Sequence, residues 1–470
     1  MIRWALLATL LAGLACRPQA PATPDLSAIY NRAAQHHDAY RNPVIVIPGI
    51  LGSRLIDPGS GRTVWGAFRG GAANPQRDDD LALIALPLGE DRPFVDLRDE
   101  VEPAGVLDRL EVRLAGLPFQ LQAYVQILKT LGAGGYRDEA VDYGDIDYGE
   151  DHFTCFQFDY DWRRDNVENA HRLARFIAEK KAFVAEQSQR RFGEVDPDLK
   201  FDVIAHSMGG LILRYYLRYG DQPLPADGSL PALDWAGSRH VERAILVGTP
   251  NAGSPTAAVQ LIEGRKFGPL TPRYDAALLG TFPSIYQLLP RPRHGAIRDA
   301  TGKSLDTYDA ELWREMGWGL VAPQAERIRE LLLPDVADPA ERLRLAADHQ
   351  RKSLRRARAF HRALDRAAEP PSGTQLYLFA GDSVPTAAVA QLRPETGRLT
   401  TIEQAPGDGT VLRSSALLDE RVGNPWRPNV ATPIAWRGVH FLFSDHLGVT
   451  RDPSFKDNVL YLLLEDPRRQ

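Results

Sequence analysis

The hexapeptide AHSMGG at 205–210 places Ser207 between small residues at positions 205 and 209. An apolar run, KFDVIAHS, precedes the turn, and a helical pattern, LILRYYLRY, follows it. Such a strand–turn–helix connection is typical of a nucleophile elbow, which exposes the serine hydroxyl above the end of a sheet. The helix that begins there aims backbone N–H groups and the positive end of its dipole at the same place. Ser207 is therefore predicted to be a nucleophile at a site that favours an oxyanion.

Enzymes with such an elbow carry an acid and then a histidine base further along the chain. Asp408 lies between two glycines in GDGTV and is the preferred acid, whereas Asp382 in GDSVPT is the alternative. His446 in SDHLGV is the predicted base, and His440 in VHFLF fits a strand or core position better. The base would take the Ser207 proton and return it to the leaving group, while the acid fixes the imidazole tautomer.

An oxyanion site needs a second backbone donor, which commonly comes from the loop after the first central strand. The segment IPGILGS at 47–53 is that loop in this sequence. Its backbone can donate whatever its side chains are. We therefore predict that the N–H groups of Leu51 and Met208 form the donor pair.

Four apolar runs of similar form each lead into a loop, at Val44–Gly49, Lys200–Ser207, Arg243–Ser254 and Gln375–Gly381. Amphipathic helical patterns, such as those at 121–136 and 167–187, lie between them. This alternation predicts an α/β fold with a mostly parallel central sheet and helices on both faces. Segments at about 57–118 and about 256–370 interrupt the alternation and are predicted to be lid and cap insertions. Residues 43–470 would then form a single catalytic domain, with 17–42 as a linker and N-terminal segment.

The composition is that of an ordinary globular protein, with 470 residues, 44% hydrophobic and 25% charged. The formal net charge of −5 provides no basic field for nucleic acid, so a nucleic-acid partner is not expected. The chain has only two cysteines, Cys16 and Cys155, too few for a disulfide framework or a cysteine zinc site. Neither a metal nor a cofactor is predicted. The oligomeric state is not encoded in these features.

The first residues have the form of a secretory signal, with Arg3 followed by an apolar run from Trp4 to Ala15. GLAC at 13–16 resembles a bacterial lipobox, in which Cys16 would be acylated. The alternatives are cleavage after Ala15 or Ala22, or a buried N-terminal helix. Residues 1–16 are thus predicted to be a signal peptide, and the mature protein to be periplasmic or a membrane-anchored lipoprotein. Cys155 is most simply a buried strand thiol.

Taken together, the motifs occur in the order typical of one enzyme family. They are IPGILGSRL at 47–55, VWG at 64–66, YDWR at 160–163, AHSMGG at 205–210, TPNAGSP at 249–255, GDSVPT at 381–386, GDGTV at 407–411 and DHLGV at 445–449. In this the chain resembles the lecithin:cholesterol acyltransferase family, over roughly residues 43–465. The resemblance implies an α/β-hydrolase core with lid and cap. It also implies a triad of Ser207, Asp408 and His446, with donors at Leu51 and Met208.

The lid is the part of the resemblance that the sequence leaves open. Trp65 lies where family members carry a lid that meets lipid, and it could either pack internally or contact a membrane. Animal members close this lid with a disulfide, but this sequence has no cysteine between 17 and 154. Contact with a membrane surface is expected. Asp161, Trp162 and Arg163 are predicted to form a supporting cluster rather than to react.

The predicted function is an extracytoplasmic serine acyl hydrolase or O-acyltransferase that acts on lipid esters through an acyl-enzyme on Ser207. The same residues serve water or a second hydroxyl as the acceptor, and a bacterial context slightly favours hydrolysis. The alternatives are a carboxylesterase of small soluble esters, a catalytically silent lipid-binding lipoprotein, and a serine peptidase or amidase on the same fold.

Overall fold

The computed structural model of this chain describes residues 23–67, 71–90, 92–107, 110–114, 117–121, 124–141, 143–144, 146, 148–149, 152–266 and 272–467. The predicted signal peptide, with Cys16, lies outside the described residues.

The strands of the described residues are numbered in chain order. They are β1 (Val44–Ile47), β2 (Ser53–Asp57), β3 (Arg62–Trp65), β4 (Glu102–Val106), β5 (Leu110–Leu114), β6 (Leu117–Leu121), β7 (Cys155–Gln157), β8 (Phe201–His206), β9 (Val241–Val247), β10 (Arg265–Lys266), β11 (Arg273–Tyr274), β12 (Ile297–Arg298), β13 (Gln375–Gly381), β14 (Val384–Arg393), β15 (Arg398–Gly407) and β16 (Trp436–Leu442).

The α-helices are numbered in the same way. They are α1 (Leu26–Ile29), α2 (Asn31–Gln35), α3 (Asp78–Ile84), α4 (Val125–Ala133), α5 (Asn166–Phe192), α6 (Met208–Tyr219), α7 (Pro255–Glu263), α8 (Ala276–Leu279), α9 (Pro283–Tyr286), α10 (Ala310–Glu315), α11 (Glu326–Leu332), α12 (Pro339–Leu364), α13 (Arg413–Leu417) and α14 (Pro453–Leu464). No helix in the described parts of the chain combines the length and the apolar content that crossing a membrane requires.

The central sheet has six strands in the order β16–β13–β9–β8–β1–β7, and every neighbouring pair is parallel. Ile45 and Ile47 of β1 belong to a core that includes residues of α5 and α6, whereas Val44 and Val46 belong to a core with α4 and α14. Helices therefore cover both faces, which explains why β1 is apolar at every position. The fold class predicted from the sequence is confirmed. Cys155 in β7 is a buried free thiol, as predicted, and burial raises its pKa.

Two long segments interrupt the central sheet. Between β1 and β7 lie a three-stranded antiparallel sheet, in the order β3–β2–β4, and the hairpin β5–β6. Between β9 and β13 lie α7 to α12, and the long helix α12 packs against α6, α9, α10 and α11. These segments include the stretches predicted as lid and cap. The domain boundaries themselves stay predictions.

The hairpin of β14 and β15, with ten residues in each strand, was not anticipated from the sequence. It leaves the central sheet just after Asp382 and returns to it just before Asp408. Near its turn, the Gly397 carbonyl accepts a hydrogen bond from Trp318 Nε1 (2.5 Å), in the segment between β9 and β13. Because its two strands are antiparallel, the hairpin brings the chain back to the carboxyl edge of the central sheet, where β8 also ends.

Candidate active site

Ser207 stands at the junction of β8 and α6 in a strained backbone conformation, with φ 53° and ψ −125°. Its N–H donates to the Val247 carbonyl (2.8 Å), which ties the turn to the neighbouring strand β9. Positive φ in a residue other than glycine costs energy and is concentrated at functional sites. This is the geometry expected of a nucleophile elbow, and it directs the serine side chain above the sheet.

The elbow packs backbone to backbone against the loop after β1. A Cβ atom on Gly209 would lie 2.4 Å from the Pro48 carbonyl oxygen, and one on Gly49 would lie 2.7 Å from Ser207 Cβ. No real Cβ atom tolerates such distances. The glycines therefore let the loop that carries Leu51 reach the serine.

Ser207, His446 and Asp408 form a continuous hydrogen-bonded row. Ser207 Oγ lies 3.0 Å from His446 Nε2, and His446 Nδ1 lies 2.7 Å from Asp408 Oδ2. A carboxylate can only accept a hydrogen bond, so the imidazole proton resides on Nδ1 and Nε2 is left to accept from the serine hydroxyl. The main-chain N–H of His446 also donates to the Asp408 carbonyl (2.9 Å). The row thus holds the imidazole in the orientation that a general base requires.

Asp408 remains ionised although its side chain is almost completely buried. Burial alone would raise its pKa, but attraction to the His446 imidazole when that ring is protonated, together with their hydrogen bond, outweighs burial and holds the pKa of Asp408 below its ordinary value. The N–H groups of Thr410 and Val411 add to this by donating to Asp408 Oδ1 at 2.9 and 2.7 Å. The buried charge is therefore stabilised on both oxygens.

The alternative acid, Asp382, does not reach the imidazole. Its N–H donates to the Leu442 carbonyl (3.2 Å), and its carboxylate lies 3.8 Å from the Arg413 guanidinium. His440 also stays apart, because its ring stacks on Phe379 with centroids 4.5 Å apart. The structure brings Asp408 rather than Asp382 to His446, since the β14–β15 hairpin returns the chain there.

The two predicted oxyanion donors lie on either side of the elbow. Leu51 has a left-handed backbone, with φ 66°, and its carbonyl accepts from Trp65 Nε1 (2.8 Å). Met208 is the first residue of α6, and its N–H is one of the four at a helix start that have no acceptor within the helix. These features are compatible with two backbone N–H groups directed at the acyl oxygen.

A cavity of about 510 Å³ extends from the catalytic row, which is within the ordinary size range of small-molecule sites. Most of its wall is apolar. The segments that interrupt the sheet contribute Trp65, Tyr274, Leu279, Ile285 and Leu288, and the loop after β7 contributes Trp162. Within the described residues, no group of three or more His, Cys, Asp or Glu side chains is placed to hold a metal ion.

Trp65 forms part of this cavity wall and is only 2% exposed. Its ring contacts Trp162 and Tyr274 edge to face, with centroids 5.4 and 5.8 Å away. In this structure the side chain is packed inside the protein, so it offers no exposed surface to a membrane. It faces the space that a substrate would occupy.

The YDWR segment at 160–163 binds the loop after β1. Tyr160 Oη donates to the Pro48 carbonyl (2.9 Å), and Trp162 Nε1 donates to the Ser53 carbonyl (3.3 Å). The buried Arg163 forms ion pairs with Asp161 (2.8 Å) and Asp99 (2.7 Å). The hydrogen bonds of Tyr160 and Trp162 hold the two ends of the loop after β1, and none of the contacts in this cluster is to Ser207.

Next to this cluster, the partly buried carboxyl of Glu168 gives a prediction about stability that varies with pH. Burial, followed by the charge of Asp165, raises the pKa of Glu168 to about 7. Its Oε1 has no hydrogen-bond partner among the described residues. The folded state thus holds a proton that the unfolded state releases at about pH 4.5, so stability falls as pH rises from 4.5 to 7. Replacing Glu168 with Gln removes this loss.

We expect Glu168→Gln to gain stability over the wild type as pH increases, by up to about 3 kcal/mol at pH 8. Chemical denaturation of both proteins between pH 5 and pH 8 measures the difference. Glu186→Gln, an exposed position on the same helix, is the control and should show no such trend. A wild-type-to-variant difference that is constant across this range would contradict the assignment.

Two polar residues beside the site were missed by the sequence analysis. Tyr124 and His206 are buried, line the cavity and contact each other, with Tyr124 Oη 3.1 Å from His206 Nδ1. His206 stands inside the AHSMGG motif, which was a usable signal. Tyr124 carried none, because its contacts are formed by distant parts of the chain.

The parallel sheet with helices on both faces and the elbow at its carboxyl edge give the chain an α/β-hydrolase fold. The family model described as lecithin:cholesterol acyltransferase matches residues 116–322, so the resemblance predicted from the motifs is confirmed. This match supports an enzyme that hydrolyses lipid esters or transfers their acyl groups. No curated protein matches the chain.

Among solved structures, a chain of the Tle4-Tli4 complex is similar, with 18% identity and a TM-score of 0.54, over 91% of this chain and 99% of that chain. At this identity the similarity shows the fold. Two further neighbours have lower scores. Bacillus licheniformis lipase BlEst2 in its propeptide form has 12% identity and a TM-score of 0.34, over 93% of this chain and 53% of that chain. EstA from Clostridium botulinum has 12% identity and a TM-score of 0.31, over 96% and 100%.

Proposed function

We propose that this protein is an extracytoplasmic serine acyl hydrolase or O-acyltransferase that acts on lipid esters through an acyl-enzyme on Ser207. The observation that carries the proposal is the hydrogen-bonded row of Ser207, His446 and Asp408 at one end of a largely apolar cavity. A row of this kind activates a hydroxyl, and apolar walls suit an acyl chain.

The reaction follows from the direction of each hydrogen bond. As Ser207 Oγ bonds to the ester carbonyl carbon, its proton passes to His446 Nε2, and the carbonyl π electrons move to the oxygen. The N–H groups of Leu51 and Met208 donate to this oxyanion, and the Asp408 carboxylate stabilises the imidazolium. When the oxyanion collapses, the C–O bond to the alcohol breaks and the imidazolium proton goes to the departing oxygen.

The acyl-enzyme is then resolved by the same groups. His446 Nε2 takes a proton from the incoming nucleophile, which attacks the Ser207 ester, and the proton returns to Ser207 Oγ as the ester breaks. Water as nucleophile releases a fatty acid, and a second alcohol yields a new ester. Both outcomes use one set of residues, so access of water and of alcohol to the cavity decides between them.

The lipid nature of the substrate is tested with p-nitrophenyl esters of increasing acyl length. We expect kcat/KM to rise from acetyl to medium and long chains, because a longer chain covers more of the apolar wall. Addition of a sterol or a long-chain alcohol tests for acyl transfer, which produces the corresponding ester. Highest kcat/KM on the acetyl ester would instead support an esterase of small soluble substrates.

We further propose that the chain is exported and anchored through an acylated Cys16, which brings it to a membrane surface. The sequence GLAC after an apolar run supports this location. Metabolic labelling with a fatty acid should modify the wild type and leave Cys16→Ser unmodified. Equal labelling of both proteins, or of neither, would contradict the anchor.

A further inference from the structure

A buried chain of hydrogen bonds connects the loop after β1 to the main chain of His446. The Gly49 N–H donates to Tyr124 Oη (2.7 Å), which lies 3.1 Å from His206 Nδ1. On its other side, His206 Nε2 lies 3.1 Å from the His446 carbonyl oxygen. Tyr124 and His206 are only 4% and 3% exposed. These hydrogen bonds therefore connect the predicted oxyanion loop, through the residue before Ser207, to the predicted base.

The direction of every bond in this chain is fixed by chemistry. The His446 carbonyl can only accept, so His206 carries its proton on Nε2 and leaves Nδ1 as an acceptor. The Gly49 N–H occupies one lone pair of Tyr124 Oη, and the single phenolic proton then points to His206 Nδ1. Each buried polar atom in this row of hydrogen bonds is satisfied in this one arrangement. Loss of the Tyr124 hydroxyl would remove the partner of the Gly49 N–H and of His206 Nδ1.

The arrangement also requires a neutral His206. Burial, together with repulsion from His446 when that ring is protonated, lowers the pKa of His206 to about 3. The groups around it include Tyr124, whose own pKa is raised by burial, and Asp408 beyond His446. The His206 and His446 rings are tilted by 44° to each other, with centroids 4.8 Å apart. A second positive charge there would oppose the imidazolium that His446 forms during the reaction, so a neutral His206 suits this position.

These hydrogen bonds fix the relative positions of three parts of the site: the loop after β1, the elbow at Ser207 and the main chain of His446. Gly49 is two residues before Leu51, whose carbonyl is held from the other side by Trp65. His206 is covalently joined to Ser207, and the main chain of His446 is held by both His206 and Asp408. Small displacements among such groups lower the rate strongly, because the reacting atoms lose their alignment.

We propose that Tyr124 and His206 are positioning residues that hold the oxyanion loop and the main chain of His446 in register with Ser207. Neither touches the reacting atoms, and both act through the backbone groups they bind. This inference rests on the proposed function, since it assigns these residues to the reaction at Ser207.

The test compares Tyr124→Phe with Tyr286→Phe in the full chain. Both changes delete one buried hydroxyl: Tyr286 Oη donates to the Gly280 carbonyl (3.0 Å), and neither Tyr286 nor Gly280 lines the cavity. With a p-nitrophenyl ester, we expect Tyr124→Phe to lower kcat by about 10- to 100-fold with little change in KM. Tyr286→Phe should lower the melting temperature to a similar degree and keep wild-type kcat. Wild-type kcat in Tyr124→Phe, or an equal loss in Tyr286→Phe, would overturn the proposal.

His206→Asn provides an independent variant, because its shorter side chain cannot bridge from Tyr124 to the His446 carbonyl. We expect a comparable loss of kcat in His206→Asn. Adding Tyr124→Phe to this variant should lower kcat little further, since the hydrogen bonds between the loop and His446 are already interrupted. Losses that multiply would show two separate roles and contradict the proposal. If Tyr124→Phe does not fold, the kcat of His206→Asn decides alone. If Ser207→Ala hydrolysed the ester as well as the wild type does, that result would refute the proposed function instead.

Discussion

Ser207→Ala is expected to lower kcat for a p-nitrophenyl ester by about 10⁶-fold, the loss typical of a serine triad without its nucleophile. The hydroxyl oxygen is the atom that bonds to the acyl carbon, and no neighbouring side chain replaces it. Some rate above the uncatalysed reaction should remain, because the backbone donors and the cavity still bind the ester. Steady-state kinetics, with circular dichroism to verify folding, measures the effect.

Ser353→Ala is the matched control for this experiment. Ser353 is buried in α12, and its hydroxyl donates to the His349 carbonyl (2.9 Å), remote from the cavity. We expect this variant to keep wild-type kcat. A decrease in kcat smaller than about 100-fold in Ser207→Ala would contradict nucleophilic catalysis by Ser207. Backbone donors and substrate binding alone would not account for so much remaining activity.

Asp408→Asn is expected to lower kcat by about 10⁴-fold with the fold intact. Asp408 accepts the Nδ1 proton of His446, so its carboxylate keeps Nε2 free to take the serine proton. A neutral amide can also donate, which favours the wrong tautomer, and it no longer stabilises the imidazolium. Since both effects act on the transition state, KM should change little.

Asp382→Asn is the matched variant for the acid. Asp382 lies at the sheet edge too, but its carboxylate faces Arg413 at 3.8 Å. We expect its kcat to stay within about threefold of the wild type, as for exposed ion pairs of small energetic effect. A larger loss in Asp382→Asn than in Asp408→Asn would reverse the assignment of the acid.

The central strands were predictable because a parallel strand buried on both faces is mainly apolar along its length. β1, β8, β9 and β13 fit this pattern, with their polar residues towards the strand ends, and all were identified. The edge strand β16 was not identified as a central strand, because half-buried residues such as Gly438 and His440 interrupt its apolar pattern. β7 has only three residues, too few for a periodic signal.

The site was predictable to the extent that its parts are local. Ser207 needs only the strand, turn and helix around it, so the sequence carries its full signature. The choice between Asp408 and Asp382 depends on where the β14–β15 hairpin returns the chain, which residue types do not reveal. The contact of Tyr124 with His206 joins positions 82 residues apart, and such contacts follow from packing alone.

The central claim is that an acyl group becomes attached to Ser207, and mass spectrometry tests it most directly. The protein is treated with a fluorophosphonate or quenched during turnover of a p-nitrophenyl ester, then digested with trypsin. We expect the added mass on the peptide spanning residues 201–214 of the wild type and its absence from Ser207→Ala. No adduct on this wild-type peptide, or an equal adduct in Ser207→Ala, would contradict the acyl-enzyme.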